Sequence, residues 1–463
     1  MTQRNSSIGH LAVAGRQSFV RTLHPAPVPA ESAPTTSPDG RATSSPVSLP
    51  AITRLTPDPH SPRHRGTQPS QTTKHLHHLR AARTSTSPSP SRPPTLYHHL
   101  ASQLSSAQLT LLVTRIAPLQ LASSPMASEA AASAEPAPQV VDECRGVLFV
   151  YSDGTVVRRA QPGFATPVHD DGSVEWKDAT FDEAAGLGLR LYRPRERGGR
   201  SRLPVFFYYH GGGFCIGSRA WPNCQNYCLR LAADLGALVV APDYRLAPEH
   251  RLPAAIDDGA AAVLWLAAQA RAPGGGGDPW VAESADLGRV FVSGDSAGGT
   301  IAHHLAVRFG SPDGRAELAP AAVAIRGYVQ LMPFFGGVQR TRSEAECPDD
   351  AFLNRPLNDR YWRLSLPEGA TADHPVANPF GPGAPPLEGV ELAPTLVVVG
   401  GRDILHDRAV DYAARLRAMG KPVEVRDFEG QQHGFFTIDP WSDASAELMR
   451  VIKRFVDSDG RFD

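Results

Sequence analysis

Short runs of β-branched and aromatic residues alternate with longer stretches rich in alanine and leucine over the C-terminal two thirds of this chain. The apolar runs lie at residues 205–209, 237–241, 290–292, 323–329, 396–399 and 423–428, and the helix-like stretches lie at 223–235, 254–269, 299–308, 408–419 and about 444–456. Parallel neighbouring strands need a crossover connection, which is usually a helix. The alternation therefore predicts an α/β fold with a mostly parallel central sheet and helices on both faces.

The first 125 residues have a different composition, rich in serine, proline, threonine, arginine and histidine. They contain 12 Lys and Arg but three acidic residues. Because such a segment buries too little apolar surface to offset its chain entropy, we expect residues 1–125 to be a disordered leader. An arginine- and serine-rich, acid-poor leader is typical of a transit peptide, which would direct the protein to the chloroplast. We favour an over-extended gene model starting at Met126, which implies a cytoplasmic protein that can also enter the nucleus.

Charge and hydropathy exclude several classes of partner. The remaining chain, residues 126–463, carries 34 Lys and Arg against 44 Asp and Glu, whereas nucleic-acid binders present basic faces, so we expect no nucleic-acid partner. The longest apolar stretch, 109–122, is interrupted by Arg115 and is too short for a membrane span. Five cysteines suggest no disulfide framework. We also expect no metal and no cofactor, and the sequence does not determine the oligomeric state.

The sequence GDSAG at residues 294–298 follows the apolar run 290–292 and precedes a predicted helix. This placement is typical of a nucleophile elbow, in which a serine lies on a strained turn between a strand and a helix. The positions two before and two after Ser296 must be small, because side chains there would clash with the backbone. The following helix directs the positive end of its dipole toward the serine. These features favour a nucleophile over an accidental glycine-rich turn.

Three consecutive glycines occur in the sequence HGGGF at residues 210–214, directly after the run 205–209. Attack on an ester carbonyl creates an oxyanion that backbone N–H groups must stabilise. Glycines let the main chain direct its amides toward that oxygen, and segments of this type supply the donors in lipases and esterases. A phosphate-binding loop is excluded because no Gly-Lys-Ser/Thr follows.

A catalytic serine needs a general base and an acid that orients the base, which follow in this fold in the order serine, acid, histidine. Asp403 follows the apolar run 396–399. His433 follows the run 423–428, so both residues lie where the carboxyl ends of parallel strands meet. Order and placement together predict a triad of Ser296, His433 and Asp403. The other candidates fall on predicted helices: Asp407, His303, His304 and His406.

Four segments together resemble the hormone-sensitive-lipase class of α/β-hydrolases, and within it the plant carboxylesterases: HGGGF at 210–214, DYRLAPE at 243–249, GDSAGG at 294–299, and Asp403 with His433 and Gly434. The flanking sequences CIGS at 215–218 and WRLSLP at 362–367 are most similar to members that degrade strigolactone. The resemblance covers about residues 140–458. It implies an α/β-hydrolase domain at 126–458 with a small N-terminal cap at 140–180.

The resemblance also implies roles for individual residues. Ser296 is the nucleophile, His433 the general base, and Asp403 the acid that orients the histidine. The oxyanion hole is formed by the backbone amides of Gly211, Gly212 and Ala297. The reaction implied is hydrolysis of a small-molecule ester or lactone, including strigolactone, through an acyl-enzyme. The Tyr-Arg pair of segment 243–249 is expected to support the oxyanion loop.

Two other functions occur in the same family. Gibberellin receptors replace the catalytic histidine by an aliphatic residue, whereas this chain has His433. Hydroxyisoflavanone dehydratases typically carry threonine at the nucleophile position, whereas this chain has Ser296. Hydrolysis is therefore favoured. We expect the substrate pocket, covered by residues 140–180 and 336–367, to be lined by Phe214, Met332, Phe334, Phe335 and Phe435.

Overall fold

The computed structural model describes residues 137–160, 166–272 and 276–462, so the predicted leader at 1–125 lies outside the described residues. The first element is a three-stranded antiparallel sheet with the order β1-β2-β3. Its strands are β1 (Val140–Cys144), β2 (Leu148–Tyr151) and β3 (Val156–Arg158).

An eight-stranded sheet forms the centre of the protein, with the order β11-β10-β9-β8-β6-β7-β5-β4. Its strands are β4 (Val174–Asp182), β5 (Leu187–Pro194), β6 (Leu203–Tyr209), β7 (Leu238–Pro242), β8 (Ala285–Asp295), β9 (Ile325–Leu331), β10 (Thr395–Gly400) and β11 (Val423–Phe428). Strands β6 to β11 are parallel, and β4 and β5 add two antiparallel strands at one edge. The predicted mostly parallel sheet is confirmed, and all six predicted apolar runs lie in its strands or overlap them.

Ten α-helices occur among the described residues: α1 (Pro222–Leu235), α2 (Ala254–Arg271), α3 (Pro279–Ser284), α4 (Ala297–Gly310), α5 (Pro312–Leu318), α6 (Arg342–Ala345), α7 (Arg355–Ser365), α8 (His406–Ala418), α9 (Phe435–Ile438) and α10 (Asp443–Asp457). The five predicted helices correspond to α1, α2, α4, α8 and α10. Helices α1 and α10 pack with Phe291 of β8 in one buried cluster. Helices α2, α4 and α8 pack with Val290 and Val292 in the other cluster. Because neighbouring residues of a strand point to opposite faces, both faces of the sheet are covered.

The N-terminal part differs in one respect from the predicted cap at 140–180. The three-stranded sheet lies within that range, but residues from Val174 onward form β4 at the edge of the large sheet. Strand β4 alternates buried or half-buried residues with exposed ones, which is typical of an edge strand and gives no continuous apolar run. None of the helices in the described parts of the chain is long and apolar enough to cross a membrane.

Candidate active site

Ser296 lies at the sharp turn between β8 and α4. Its backbone angles are φ 53° and ψ −117°, a left-handed conformation that costs energy for a residue with a side chain. Two hydrogen bonds hold this turn: the Ser296 N–H donates to the carbonyl of Leu331 at 2.9 Å, and its carbonyl accepts from the N–H of Phe334 at 2.9 Å. The neighbouring strand therefore fixes the position of the serine.

The glycines that flank Ser296 are required by close backbone contacts. A Cβ atom at Gly294 would lie 2.3 Å from the carbonyl of Gly298. A Cβ atom at Gly298 would lie 1.9 Å from the carbonyl oxygen of Tyr209 in β6. Both distances are far inside van der Waals contact, so only glycine lets the turn pack against the adjacent strand.

The glycine segment after β6 forms a tight loop beside Ser296. Gly212 has φ +116° and Gly213 has φ +58°. A Cβ atom at Gly212 would lie 2.0 Å from the carbonyl oxygen of Ile216, and one at Gly213 would lie 2.2 Å from the ring of Tyr361 on α7. The loop therefore combines left-handed backbone with close packing, which excludes side chains at both positions.

Tyr244 supports the start of this loop. Its hydroxyl donates to the carbonyl of His210 at 2.8 Å, and the two rings stack with centroids 4.3 Å apart. Arg245 forms a bidentate ion pair with Asp258 on α2. Of the Tyr-Arg pair expected to support the oxyanion loop, the tyrosine contacts the loop directly and the arginine anchors the segment to a helix.

His433 and Asp403 form a buried hydrogen bond on the loops after β11 and β10. The distance between His433 Nδ1 and Asp403 Oδ2 is 2.8 Å, and the two residues are 7% and 3% exposed. The second oxygen of Asp403 accepts from the N–H of Leu405 at 3.0 Å. With Nδ1 engaged by the carboxylate, Nε2 is the ring nitrogen left to exchange a proton with a serine.

The other acids and histidines considered from the sequence lie elsewhere. Asp407 is in α8 and accepts from the backbone N–H of Ser343 at 2.8 Å. His303 is buried in α4, where it hydrogen bonds with the Tyr412 hydroxyl at 2.9 Å. Burial lowers the pKa of His303, which is what a neutral packing histidine requires.

Ser296 and His433 line the same cavity, which has an empty volume of about 730 Å³ including its open mouth. Gly211, Gly212 and Gly213 of the glycine loop line it as well. The apolar and aromatic side chains around it are Ile216, Trp221, Phe352, Leu353, Leu357 and Tyr361. A concave, mostly apolar site with a few converging polar groups is typical of small-molecule binding.

The five residues predicted to line the pocket are not among the residues that line this cavity. Phe214 and Phe334 pack against the ring of Trp362, with Phe334 stacked at 4.2 Å. Phe335 packs against Tyr412, and the sulfur of Met332 accepts from the N–H of Gly434 at 3.2 Å. Phe435 borders a separate depression beside Asp403. All five side chains are buried and pack in the core clusters on the two faces of the sheet.

Asp295 is a further residue at the site that the sequence analysis did not single out. It lines the cavity, and its Oδ1 accepts from the hydroxyl of Tyr208 at 2.6 Å. Burial raises the pKa of Asp295, although hydrogen bonds from Tyr208 and from the backbone of Gly211 act in the opposite direction. Its position directly before Ser296 was the available sequence signal.

The chain matches the family model described as the α/β hydrolase fold over residues 206–437. This chain belongs to the α/β-hydrolase family. It is 38% identical to probable carboxylesterase 6 of Arabidopsis thaliana over 58% of this chain and 77% of that protein. It is 34% identical to the chloroplastic tuliposide A-converting enzyme 2 of Tulipa gesneriana, over 69% of this chain and 79% of the tulip protein.

Two further similarities bear on the enzyme class of this α/β-hydrolase. The chain is 33% identical to 2-hydroxyisoflavanone dehydratase of Glycyrrhiza echinata, over 67% of this chain and 94% of that protein. The crystal structure of EstE1, a thermostable carboxylesterase cloned from a metagenomic library, matches with a TM-score of 0.51 and 28% identity over 62% of this chain and 90% of EstE1. The carboxylesterase relatives and the esterase structure support the predicted enzyme class, a carboxylesterase.

Proposed function

We propose that this α/β-hydrolase cleaves carboxylic esters through an acyl-enzyme formed on Ser296, with His433 as general base and Asp403 as its orienting acid. The observation that carries the proposal is the 2.8 Å hydrogen bond between His433 and Asp403 on a cavity that His433 shares with Ser296. The strained backbone of Ser296 supports it, because such strain is concentrated at functional sites.

In the proposed reaction, Ser296 Oγ attacks the ester carbonyl carbon and its proton moves to His433 Nε2. Asp403 remains ionised and stabilises the imidazolium. The tetrahedral intermediate collapses, and the departing alkoxide takes the proton from His433 and leaves as an alcohol. Water then attacks the acyl-enzyme and gives its proton to His433. The second collapse returns that proton to Ser296 and releases the carboxylic acid.

The oxyanion donors we propose are the backbone amides of Gly212 and Ala297, with Gly213 as the third. Ala297 is the first residue of α4, where a helical N–H has no acceptor within its own helix. Gly211 was predicted as a donor, but its backbone packs against Asp295, where a Cβ atom at Gly211 would lie 2.3 Å from Oδ2. Gly213, the next residue of the loop, lines the cavity and is the candidate to replace it.

The test compares the wild-type protein with Ser296→Ala on p-nitrophenyl acetate. We expect the substitution to lower kcat by at least about 10³-fold, as removal of a catalytic serine does in other triads. Ser293→Ala is the matched control, because Ser293 is a buried serine of β8 whose hydroxyl has no hydrogen-bond partner. Equal rates in wild type and Ser296→Ala, with both proteins folded, would overturn the proposal.

A lyase is the competing function, favoured by the similarity to 2-hydroxyisoflavanone dehydratase. Elimination of water forms no acyl-enzyme, whereas ester hydrolysis acylates Ser296. Rapid quenching followed by peptide mass spectrometry therefore separates the two functions. We expect an acetyl group on the peptide containing Ser296. Turnover of a 2-hydroxyisoflavanone without acylation would favour the lyase.

The natural substrate we propose to test first is a strigolactone, whose butenolide ring contains an ester-like carbonyl. Its support is the similarity of segments 215–218 and 362–367 to strigolactone-degrading enzymes. Tuliposide A belongs in the same panel because of the tulip relatives. Product formation followed by liquid chromatography ranks the substrates by kcat/KM. Binding of a gibberellin without turnover of any ester would instead support a receptor.

The chloroplastic and amyloplastic names of the tulip relatives favour the interpretation of residues 1–125 as a plastid leader. We propose plastid targeting on that basis, in place of the favoured start at Met126. Fusion of residues 1–125 to a fluorescent protein tests it in leaf cells. Fluorescence in plastids supports the proposal, and fluorescence in the cytosol and nucleus overturns it.

A further inference from the structure

The carboxylate of Asp295 lies between the two segments that the proposed reaction must align. Asp295 ends β8 and immediately precedes the nucleophile. Its Oδ1 accepts from the hydroxyl of Tyr208 on β6 at 2.6 Å. The backbone of Gly211, in the oxyanion loop after the same strand, packs directly against this carboxylate. Hydrogen bonds to a carboxylate are shorter and stronger than those between neutral groups.

The packing around Gly211 shows how closely the three parts fit. A Cβ atom at Gly211 would lie 2.3 Å from Oδ2 of Asp295 and 3.1 Å from Cβ of Ser296. Loop, carboxylate and nucleophile are thus in direct contact. Any outward movement of the loop would break the packing of Gly211 on Asp295 and move the oxyanion donors away from Ser296.

We propose that Asp295 is a positioning residue, which holds the oxyanion loop at a set distance from Ser296 by accepting the hydrogen bond of Tyr208 and packing against Gly211. The proposal rests on the proposed ester hydrolysis and deepens it. Asp295 does not exchange a proton with the substrate in this scheme. Its effect is on the placement of Gly212 and Gly213, whose amides meet the oxyanion only in the transition state.

Three variants test this role on p-nitrophenyl acetate: Asp295→Ala, Asp295→Asn and Tyr208→Phe. We expect Asp295→Ala to lower kcat about 100-fold while KM changes less than about threefold, because donor placement acts on the transition state. Asp295→Asn should retain kcat within about tenfold of wild type. Its amide has nearly the shape of the carboxylate and fills the same space beside Gly211, and its oxygen can accept from the Tyr208 hydroxyl.

Hydrogen–deuterium exchange of the peptide covering residues 210–217 gives a second readout that needs no activity. We expect faster exchange in Asp295→Ala and near wild-type exchange in Asp295→Asn. Unchanged exchange in Asp295→Ala would overturn the positioning role even if Ser296 proves not to be a nucleophile. Wild-type protein without Ser296-dependent turnover, in contrast, would overturn the proposed hydrolysis.

Kinetic outcomes that contradict the proposal are equally specific. They are a kcat for Asp295→Ala within threefold of wild type, an equal loss in Asp295→Asn and Asp295→Ala, or a loss confined to KM. If Asp295→Ala does not fold, Tyr208→Phe tests the positioning role in its place. Its predicted loss is about three- to tenfold in kcat with faster loop exchange, and wild-type values of both would overturn the proposal.

Discussion

Arg158 of β3 donates to both carboxylate oxygens of Glu249, at 2.8 Å from Nε and 2.7 Å from Nη2. The same guanidinium donates to the carbonyl of Cys215 at 2.6 Å and to that of Ala247 at 2.7 Å. Cys215 directly follows the glycine loop and its phenylalanine, and Ala247 lies after β7. One side chain of the small sheet thus joins two loops of the hydrolase domain beside the candidate active site.

We predict that Arg158→Ala lowers the free energy of unfolding by about 1–3 kcal/mol, because two carbonyls and a carboxylate lose their donor. We also expect a several-fold lower kcat, since the oxyanion loop loses an anchor. Urea denaturation and p-nitrophenyl acetate hydrolysis measure the two effects. The control is Arg159→Ala, which changes an exposed arginine whose side chain lies over the ring of Phe149. Similar values for the two variants would contradict the prediction.

Asp403→Asn tests the acid of the proposed triad. An asparagine holds the imidazole in the wrong tautomer, so we expect kcat to fall about 10³- to 10⁴-fold with little change in KM. Asp407→Asn is the matched control, because Asp407 contacts Ser343 and His406 in place of His433. Steady-state kinetics on p-nitrophenyl acetate, with circular dichroism to verify folding, give the comparison. Comparable losses in both variants would argue against Asp403 as the orienting acid.

Gly298→Ala tests the close packing beneath Ser296. The added Cβ would lie 1.9 Å from the carbonyl oxygen of Tyr209, so β6 and α4 must separate. We expect a loss of about 3 kcal/mol or more in the free energy of unfolding, at the upper end for an overpacked core. Gly389→Ala is the control, because nothing lies within 4 Å of a Cβ at that position. Near wild-type stability of Gly298→Ala, measured by chemical denaturation, would show that β6 and α4 can separate there at little cost.

His406 provides a prediction on pH. Burial lowers the pKa of His406, but its hydrogen bonds with Asp427 and Asp407 raise that pKa by more, and the net shift is upward. A group with a raised folded pKa stabilises the protein fully below its usual pKa, near 6.5, and loses that contribution as the pH rises through the folded value. His406→Gln should therefore destabilise the protein more at about pH 5.5 than at about pH 9.

The size of this effect is limited because Asp427 is half exposed, and we expect about 1 kcal/mol at most. Thermal melts across this pH range measure it. Asp427→Asn, which removes the closer carboxylate, should reduce the pH dependence of the stability as His406→Gln does. A stability difference that grows toward high pH would have the wrong sign for this interpretation.

The sequence alone determined those features that depend on local patterns. Strand–helix alternation predicted six of the eight strands of the large sheet, because strands buried on both faces form continuous apolar runs. It did not reveal β4 or β5. Strand β4 is the edge strand and alternates in exposure, and the apolar residues of the interior strand β5 are interrupted by Arg190 and Arg193. The elbow and the glycine loop were recognisable because their backbone conformations need glycine at fixed positions near Ser296.

Tertiary structure decided which side chains from distant segments meet. The cavity is lined by residues such as Trp221, Leu357 and Tyr361, while the aromatic residues expected there fill the core. Likewise, the contact between Asp295 and Gly211 joins residues 84 positions apart in the chain. No periodicity or spacing encodes such pairs, because they depend on the order in which the strands assemble and on how closely their loops pack.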